Sequence, residues 1–141
     1  MRGIVYASRA RVAFDVAALR ELAGQAAARN AALGVTGYLY FENARFFHYL
    51  EGESGPVTAL LTRIELDLRH EIQHMLFDDH LERRRFPAWS MRALGRDEFA
   101  GLDSLVYGHV LFMKHARLST SPSIWRLIDD VAALRGGAPR R

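Results

Sequence analysis

Two apolar runs separated by a short polar turn constrain the fold of this chain more than any other feature. Residues 33–41 and 45–50 are rich in β-branched and aromatic side chains, and a polar turn at residues 42–45 lies between them. Runs of this length and composition, bounded by turn residues, are typical of paired strands. We therefore predict a strand pair that ends in the triplet Leu50-Glu51-Gly52.

The segments around this pair alternate between strand and helix patterns. Asp15 is a suitable N-cap for an Ala-rich helix, and Pro56 falls in the first turn of a second helix. The predicted elements are a strand at 2–7, a helix at 16–30, the strand pair, a helix at 57–70 and strands at 73–77 and 89–94. This βαββαββ order predicts an α+β, ferredoxin-like fold with two helices packed on one face of a mostly antiparallel sheet.

The C-terminal part of the chain has a different character. Residues 102–116 and 122–135 are amphipathic, and either Ser123 or Ser121-Pro122 is a helix start signal for the second of them. We predict one domain over residues 1–95, a helical extension over 96–135 and a disordered tail over 136–141. The extension is too short to fold alone, so we expect it to pack on the exposed sheet face or at a subunit contact.

Composition excludes several classes of function. The chain has no cysteine, and its apolar runs are far shorter than the roughly 20 residues of a membrane-spanning helix. The net charge of +3 equals the contribution of Arg135, Arg140 and Arg141 at the end of the chain. We therefore expect a cytoplasmic protein that binds neither nucleic acid nor membrane.

One motif suggests metal chemistry. Residues 70–74, His-Glu-Ile-Gln-His, form a literal HExxH, and His80 has the spacing of a third zinc ligand. However, Phe77 stands where that pattern has a glycine, and the following residues predict strand and loop instead of a continuing helix. We predict no metal site and no zinc hydrolase, with His74 and His80 as surface histidines.

Five short blocks are informative only together. They are VYASRA with Tyr6 and Ser8, Arg29-Asn30 before LGVTG, FFHYLEG around His48, RIELDLRH from Arg63 to His70, and RRFPAWSM with Trp89 and Met91. Each has a structural explanation alone: Tyr6 as a core tyrosine, Asn30 as a helix C-cap, Asp67 as a surface charge and Trp89 as a core aromatic. In order and spacing, however, the blocks resemble the BLUF family of flavin-based blue-light sensors over roughly residues 2–94.

The resemblance implies a flavin, FAD with FMN as the alternative, held between the two helices and the sheet. Asn30 would bond the O4 and N3 edge of the ring, and Arg63, with Arg29, the O2 side. Asp67 would hold a ribityl hydroxyl. The full set of implied flavin-binding residues is Tyr6, Ser8, Arg29, Asn30, His48, Arg63, Ile64, Asp67 and His70, and the implied photochemical residues are Tyr6, His48, Trp89 and Met91.

His48 departs from the family pattern, which has glutamine at this position. In the family, Tyr6 would give an electron and a proton to the excited flavin, and the glutamine amide would then rearrange. A neutral histidine has one donor and one acceptor fixed across a rigid ring, so it cannot reproduce that rearrangement. We therefore expect retained flavin binding with an altered or impaired photocycle.

The predicted function is a blue-light photoreceptor without enzymatic activity. It would signal through contacts with an unidentified protein partner or through its own oligomer, with the C-terminal helices as the contact surface. The alternative left open by the sequence is a flavin-free, ferredoxin-like interaction module.

Overall fold

A computed structural model describes residues 1–134. The strands are β1 Arg2–Ala10, β2 Thr36–Glu42, β3 Arg45–Gly52, β4 His70–Asp78 and β5 Arg92–Leu94, and the helices are α1 Val16–Leu33, α2 Ser54–Glu65, α3 Asp103–Lys114 and α4 Ser121–Leu134. Short 3₁₀ turns cover Arg96–Phe99 and Ala116–Leu118. The predicted disordered tail at 136–141 lies outside the described residues.

The strands form one sheet in the order β4-β1-β3-β2-β5. All neighbours are antiparallel except β2 and β5, which run parallel. Because side chains alternate along a strand, β1 sends Ile4 and Tyr6 to one face and Val5 and Ala7 to the other. One hydrophobic core lies between the sheet and α1 with α2, and a second lies between the sheet and α3 with α4. The predicted α+β, ferredoxin-like fold is confirmed.

Local signals explain the boundaries of α1. The Asp15 carboxylate accepts a hydrogen bond from the Ala18 amide at 2.7 Å, as an N-cap does. Gly34, with φ of 68°, ends the helix in the left-handed conformation that glycine adopts without strain. The predicted strand start at residue 33 is therefore wrong, because residues 33–35 complete the helix and its cap.

The end of α2 also differs from the prediction. The helix ends at Glu65, five residues early, because the Asp67 carboxylate accepts the Arg69 amide at 3.0 Å and turns the chain. β4 therefore begins at His70 instead of residue 73. Asp67 lies in this turn and not on the helix.

β5 is shorter than predicted. It covers only Arg92–Leu94, because Trp89 closes a turn in which its amide donates to the Phe86 carbonyl at 3.2 Å. The Gly37 amide in turn donates to the Trp89 carbonyl at 2.9 Å, which ties this turn to β2. The predicted strand residues 89–91 are therefore turn residues beside the sheet.

The HExxH motif lies on a strand and is split by a β-bulge. Ala7 pairs with His74 while its neighbour Ser8 pairs with Ile72, so one residue of β4 is skipped. His70 faces the α1–α2 side, whereas His74 faces α3 and bonds the Phe112 carbonyl. His74 is half-buried, so its prediction as a surface histidine is wrong. Across residues 1–134, no group of three or more His, Cys, Asp or Glu side chains could hold a metal ion.

The predicted C-terminal helices pack on the sheet face opposite α1 and α2. α3 contributes Leu105, Val106 and Phe112 to the second core, and α4 contributes Ile124 and Ile128. None of the helices within the described part of the chain is long and apolar enough to cross a membrane.

Candidate functional site

A cleft opens between α1 and α2 above the centre of the sheet. It is partly open to solvent. Its floor is formed by Tyr6, Leu39 and His48 from three adjacent strands, because alternation sends all three side chains to this face. The remaining lining residues are Phe14, Leu22, Gln25, Ala26, Arg29, Phe46, Arg63, Ile64, Asp67, Arg69, His70 and Met91.

A buried tyrosine–histidine pair occupies the floor. Tyr6 Oη lies 2.6 Å from His48 Nδ1, and His48 Nε2 lies 3.1 Å from Met91 Sδ. A thioether sulfur can only accept a hydrogen bond, so we assign the ring proton to Nε2. Nδ1 then accepts from the Tyr6 hydroxyl, and both ring nitrogens are engaged.

Burial keeps this pair neutral. It raises the pKa of Tyr6, and the nearby Asp67 carboxylate raises it further. Burial lowers the pKa of His48 to about 3, with smaller contributions from His70 and Arg29. At neutral pH the tyrosine is therefore a hydrogen-bond donor and the histidine an uncharged acceptor.

Ser8 and His70 form a second polar contact at the edge of the cleft. His70 Nε2 donates to the Ile64 carbonyl at 2.9 Å, because a carbonyl oxygen can only accept. His70 Nδ1 lies 2.8 Å from the Ser8 hydroxyl, which is the donor when the ring is neutral. This contact ties β1 to the last turn of α2 and places His70 at the cleft wall.

Asn30 has polar atoms that the protein leaves unpaired. Its side chain is fully buried, and neither its amide oxygen nor its amide nitrogen has a hydrogen-bond partner among residues 1–134. Asn30 is not the helix C-cap, since Gly34 has that position. Buried carboxamides almost always find partners, and a ligand edge that both donates and accepts would account for these two unpaired atoms. The imide edge of a flavin ring has that pattern, and the site therefore fits a flavin.

The mouth of the cleft is positively charged. Arg69 forms a bidentate ion pair with Asp67, with Nε–Oδ1 and Nη2–Oδ2 distances of 3.0 and 2.6 Å. Hydrogen bonds from Arg69 lower the pKa of Asp67 to about 2, so the carboxylate is ionised. Arg29 and Arg63 complete the rim, and Arg29 Nε is buried without a partner among the described residues.

The structure separates the two residues predicted near β5. Met91 lines the cleft, whereas Trp89 lies in the core under α3 and α4 and stacks on Phe86 with ring centroids 5.0 Å apart. Seven further predicted site residues line the cleft with Met91: Tyr6, Arg29, His48, Arg63, Ile64, Asp67 and His70. Ser8 and Asn30 do not line the cleft, but Ser8 contacts the lining residue His70, and Asn30 follows the lining residue Arg29 on α1.

Sequence reasoning missed several lining residues. Leu22, Gln25 and Ala26 precede Arg29 by seven, four and three positions, so helical spacing could have identified them. Phe46 could have been found from strand alternation around His48. Leu39 required the register of β2 against β3, which places it opposite His48.

Comparisons with known proteins identify the family of this chain. The family model described as "BLUF: Sensors of blue-light using FAD" matches residues 1–92. Photoactivated adenylate cyclase subunit beta of Euglena gracilis is 32% identical over 74 residues, a match that covers 52% of this chain and only 9% of that protein.

Solved structures extend the similarity over nearly the whole chain. BlrB, described as a BLUF protein in its dark state, is 31% identical with a TM-score of 0.72, covering 94% of this chain and 95% of that one. BlsA in its photo-activated state is 23% identical with a TM-score of 0.74, covering 99% and 100%, and supports the fold alone. Since the family match spans well over half of the sequence, this chain belongs to the BLUF family of flavin-binding blue-light sensors.

Proposed function

We propose that the bound flavin is FAD, with Asn30 on the O4 and N3 edge of its ring, Arg63 and Arg29 on the O2 side and Asp67 at the ribityl chain. The unpaired amide of Asn30 supports this orientation, because it offers a donor and an acceptor to the same ligand edge. FMN has the same ring and remains the alternative. Family membership argues against the flavin-free interaction module.

We further propose that this sensor lacks the ordinary photocycle of its family. The observation that carries the proposal is the 2.6 Å contact between Tyr6 Oη and His48 Nδ1. Rotating a glutamine amide by half a turn exchanges a donor for an acceptor. The same rotation of His48 would exchange both nitrogens for ring carbons and would lose both hydrogen bonds. The residue therefore has no second hydrogen-bonded state to populate.

The chemistry of the floor follows from this arrangement. Bound flavin supplies the blue-light chromophore and, once excited, an acceptor for one electron. Tyr6 is the electron donor, and its hydroxyl proton moves to His48 Nδ1 along the existing hydrogen bond. Burial strongly disfavours a charged His48, as its depressed pKa of about 3 indicates, so the proton returns to the Tyr6 oxygen together with the electron that Tyr6 gave up. Excitation then ends in the starting hydrogen-bond pattern.

We propose that residues 1–95 are the sensor and that α3 and α4 carry the signal to a protein partner or a second copy. Contacts through the sheet support this division. Tyr38 and Phe47 lie beside Leu39 and His48 on their strands but face α3, where Tyr38 Oη lies 2.8 Å from His109 Nε2. Because the chain acts as a sensor module in this proposal, it has no catalytic activity of its own.

Light-minus-dark absorption spectra of the FAD-loaded protein test the photocycle proposal. We expect no stable red shift of the flavin band in the wild type and a reversible red shift in His48→Gln, because that substitution restores an amide beside Tyr6. His48→Leu, which has neither donor nor acceptor, is the matched control and should stay silent. A reversible red shift in the wild type, or none in His48→Gln with flavin bound, would contradict the proposal.

A further inference from the structure

A buried carboxylate on the sheet face away from the cleft holds the segment that leads to Met91. Glu51 is fully buried, and it follows Tyr49 of the second core by two positions on β3, so both side chains face the same side. Glu51 Oε1 accepts the backbone amide of Arg85 at 2.7 Å, and Oε2 accepts that of Phe86 at 2.8 Å. One side chain therefore binds two consecutive amides of the segment between β4 and β5.

The same carboxylate is also bound to the sheet. The Tyr49 hydroxyl donates to Glu51 Oε1 at 2.9 Å, and the Thr36 hydroxyl donates to Oε2 at 2.8 Å. Each carboxylate oxygen thus accepts from one hydroxyl and one backbone amide, which uses the acceptor capacity of an ionised carboxylate. Because the hydroxyls belong to β2 and β3, Glu51 joins residues 85 and 86 to the sheet.

The turn that starts at this anchor separates a tryptophan from a methionine. The Phe86 carbonyl accepts the Trp89 amide at 3.2 Å, and the two rings stack in the second core. The Trp89 carbonyl accepts the Gly37 amide at 2.9 Å. Two residues later the chain has crossed to the cleft, where Met91 Sδ lies 3.1 Å from His48 Nε2. The location of both side chains therefore depends on where the turn begins.

We propose that Glu51 is a positioning residue for the floor of the cleft. By fixing this turn, it keeps Trp89 under α3 and α4 and keeps Met91 against His48. Met91 is the acceptor that holds the His48 ring proton at Nε2 and leaves Nδ1 to Tyr6. Glu51 thus acts on the hydrogen bonds of the floor from the opposite face of the sheet. This role depends neither on which flavin is bound nor on the fate of the photocycle.

Nuclear magnetic resonance of the flavin-bound protein, isotope-labelled at its methionine methyl groups and tryptophan indoles, tests this role. Glu51→Gln keeps one acceptor oxygen and turns an NH₂ group toward one of the two backbone amides, so it should release the turn. We expect the Met91 methyl resonance to shift and the Trp89 indole N–H to exchange severalfold faster with solvent. Met75 is the internal reference, because it lies on β4 at the sheet edge opposite β5. Met91→Leu and Trp125→Phe assign the resonances.

Two matched variants separate positioning from a general loss of stability. Tyr49→Phe and Thr36→Val each remove one hydroxyl donor to Glu51 and leave both backbone amides bound. We expect the Met91 and Trp89 resonances of both variants to stay close to their wild-type positions. Changes as large as those in Glu51→Gln would overturn the proposal, and so would a folded Glu51→Gln protein with unchanged Met91 and Trp89 resonances.

Amide hydrogen exchange in the wild type tests the anchor without any substitution. The amides of Arg85 and Phe86 lie outside the strands and helices, yet both donate to a buried carboxylate. We expect both to exchange about tenfold or more slowly than the amide of Arg83, an exposed residue of the same segment. Exchange of both amides as fast as that of Arg83 would overturn the proposal, even if Glu51→Gln failed to fold.

Discussion

His109 should make this fold sensitive to mild acid. This residue of α3 is fully buried against the sheet, and its ring stacks on both Tyr40 and Phe99 with centroid distances of 4.5 and 5.3 Å. Nδ1 donates to the Leu105 carbonyl at 2.7 Å, so Nε2 of the neutral ring accepts from the Tyr38 hydroxyl at 2.8 Å. Burial lowers the pKa of His109 to about 4.

The sign and size of the effect follow from that pKa. The ordinary pKa of histidine is about 6.5, so between pH 6.5 and 4 the unfolded chain binds more protons than the folded one, and stability falls as the pH falls. For a shift from about 6.5 to about 4, the linkage relation gives a loss of about 2 kcal/mol at pH 5 and about 3 kcal/mol at pH 4 relative to neutral pH. His48 adds a separate loss of about 2 kcal/mol at pH 5 in the flavin-free protein, because its pKa is lowered to about 3.

Urea unfolding of the flavin-free protein, followed by tryptophan fluorescence at pH 7 and pH 5, measures this dependence. Replacing His109 by Gln removes the titrating ring and keeps a donor and an acceptor. We expect the variant to lose about 2 kcal/mol less stability than the wild type between the two pH values. The exposed His80 provides the control, since His80→Gln removes the same residue type at the surface.

The change in stability between pH 7 and pH 5, compared between the wild type and His109→Gln, tests whether burial keeps His109 neutral. If His109→Gln loses as much stability between pH 7 and pH 5 as the wild type does, His109 is not held neutral by burial. A lower stability of the variant at both pH values does not affect this test, because only the change with pH is compared.

Two further substitutions test how the sheet holds the cleft. At Gly37, with φ of 151°, an added Cβ would lie 1.9 Å from the Tyr49 carbonyl oxygen. Gly37→Ala should therefore lower the free energy of unfolding by about 4 kcal/mol or more. An unchanged melting temperature would contradict this prediction. Glu51 is fully buried and accepts hydrogen bonds from two hydroxyl groups and from the backbone amides of Arg85 and Phe86. Glu51→Ala should therefore lower the free energy of unfolding by about 3 kcal/mol or more, because these donors lose their partner. A urea unfolding curve that matched the wild type would show that the donors find other partners.

Local signals were sufficient for much of the fold. The Asp15 cap, the Ala-rich helix and the polar turn of the hairpin all act within a few residues, so their patterns predicted α1 and the β2–β3 pair. Because residues that pair directly across two strands have side chains on the same face, the pairing of β1 with β3 places Tyr6 and His48 on one face of the sheet. The blocks resembling the BLUF family added the flavin and about half of the residues that line the cleft.

Other features depended on contacts between distant segments. The bulge that sends His70 and His74 to opposite faces exists only in the pairing of β4 with β1. The HExxH spacing does not predict this bulge. The helical pattern after Glu65 likewise does not reveal that the Asp67–Arg69 turn ends α2, and so it did not identify Arg69 as a rim residue.

The amino-acid sequence by itself determined the family, the fold class and the presence of a histidine where the family has glutamine. Each of these depends only on local sequence patterns and on the identity of side chains. Only the tertiary structure decided which nitrogen of His48 meets Tyr6, which of Trp89 and Met91 enters the cleft, and how many charges meet at its mouth. Those properties arise from strand register, burial and the convergence of segments far apart in the chain, and no single segment carries them.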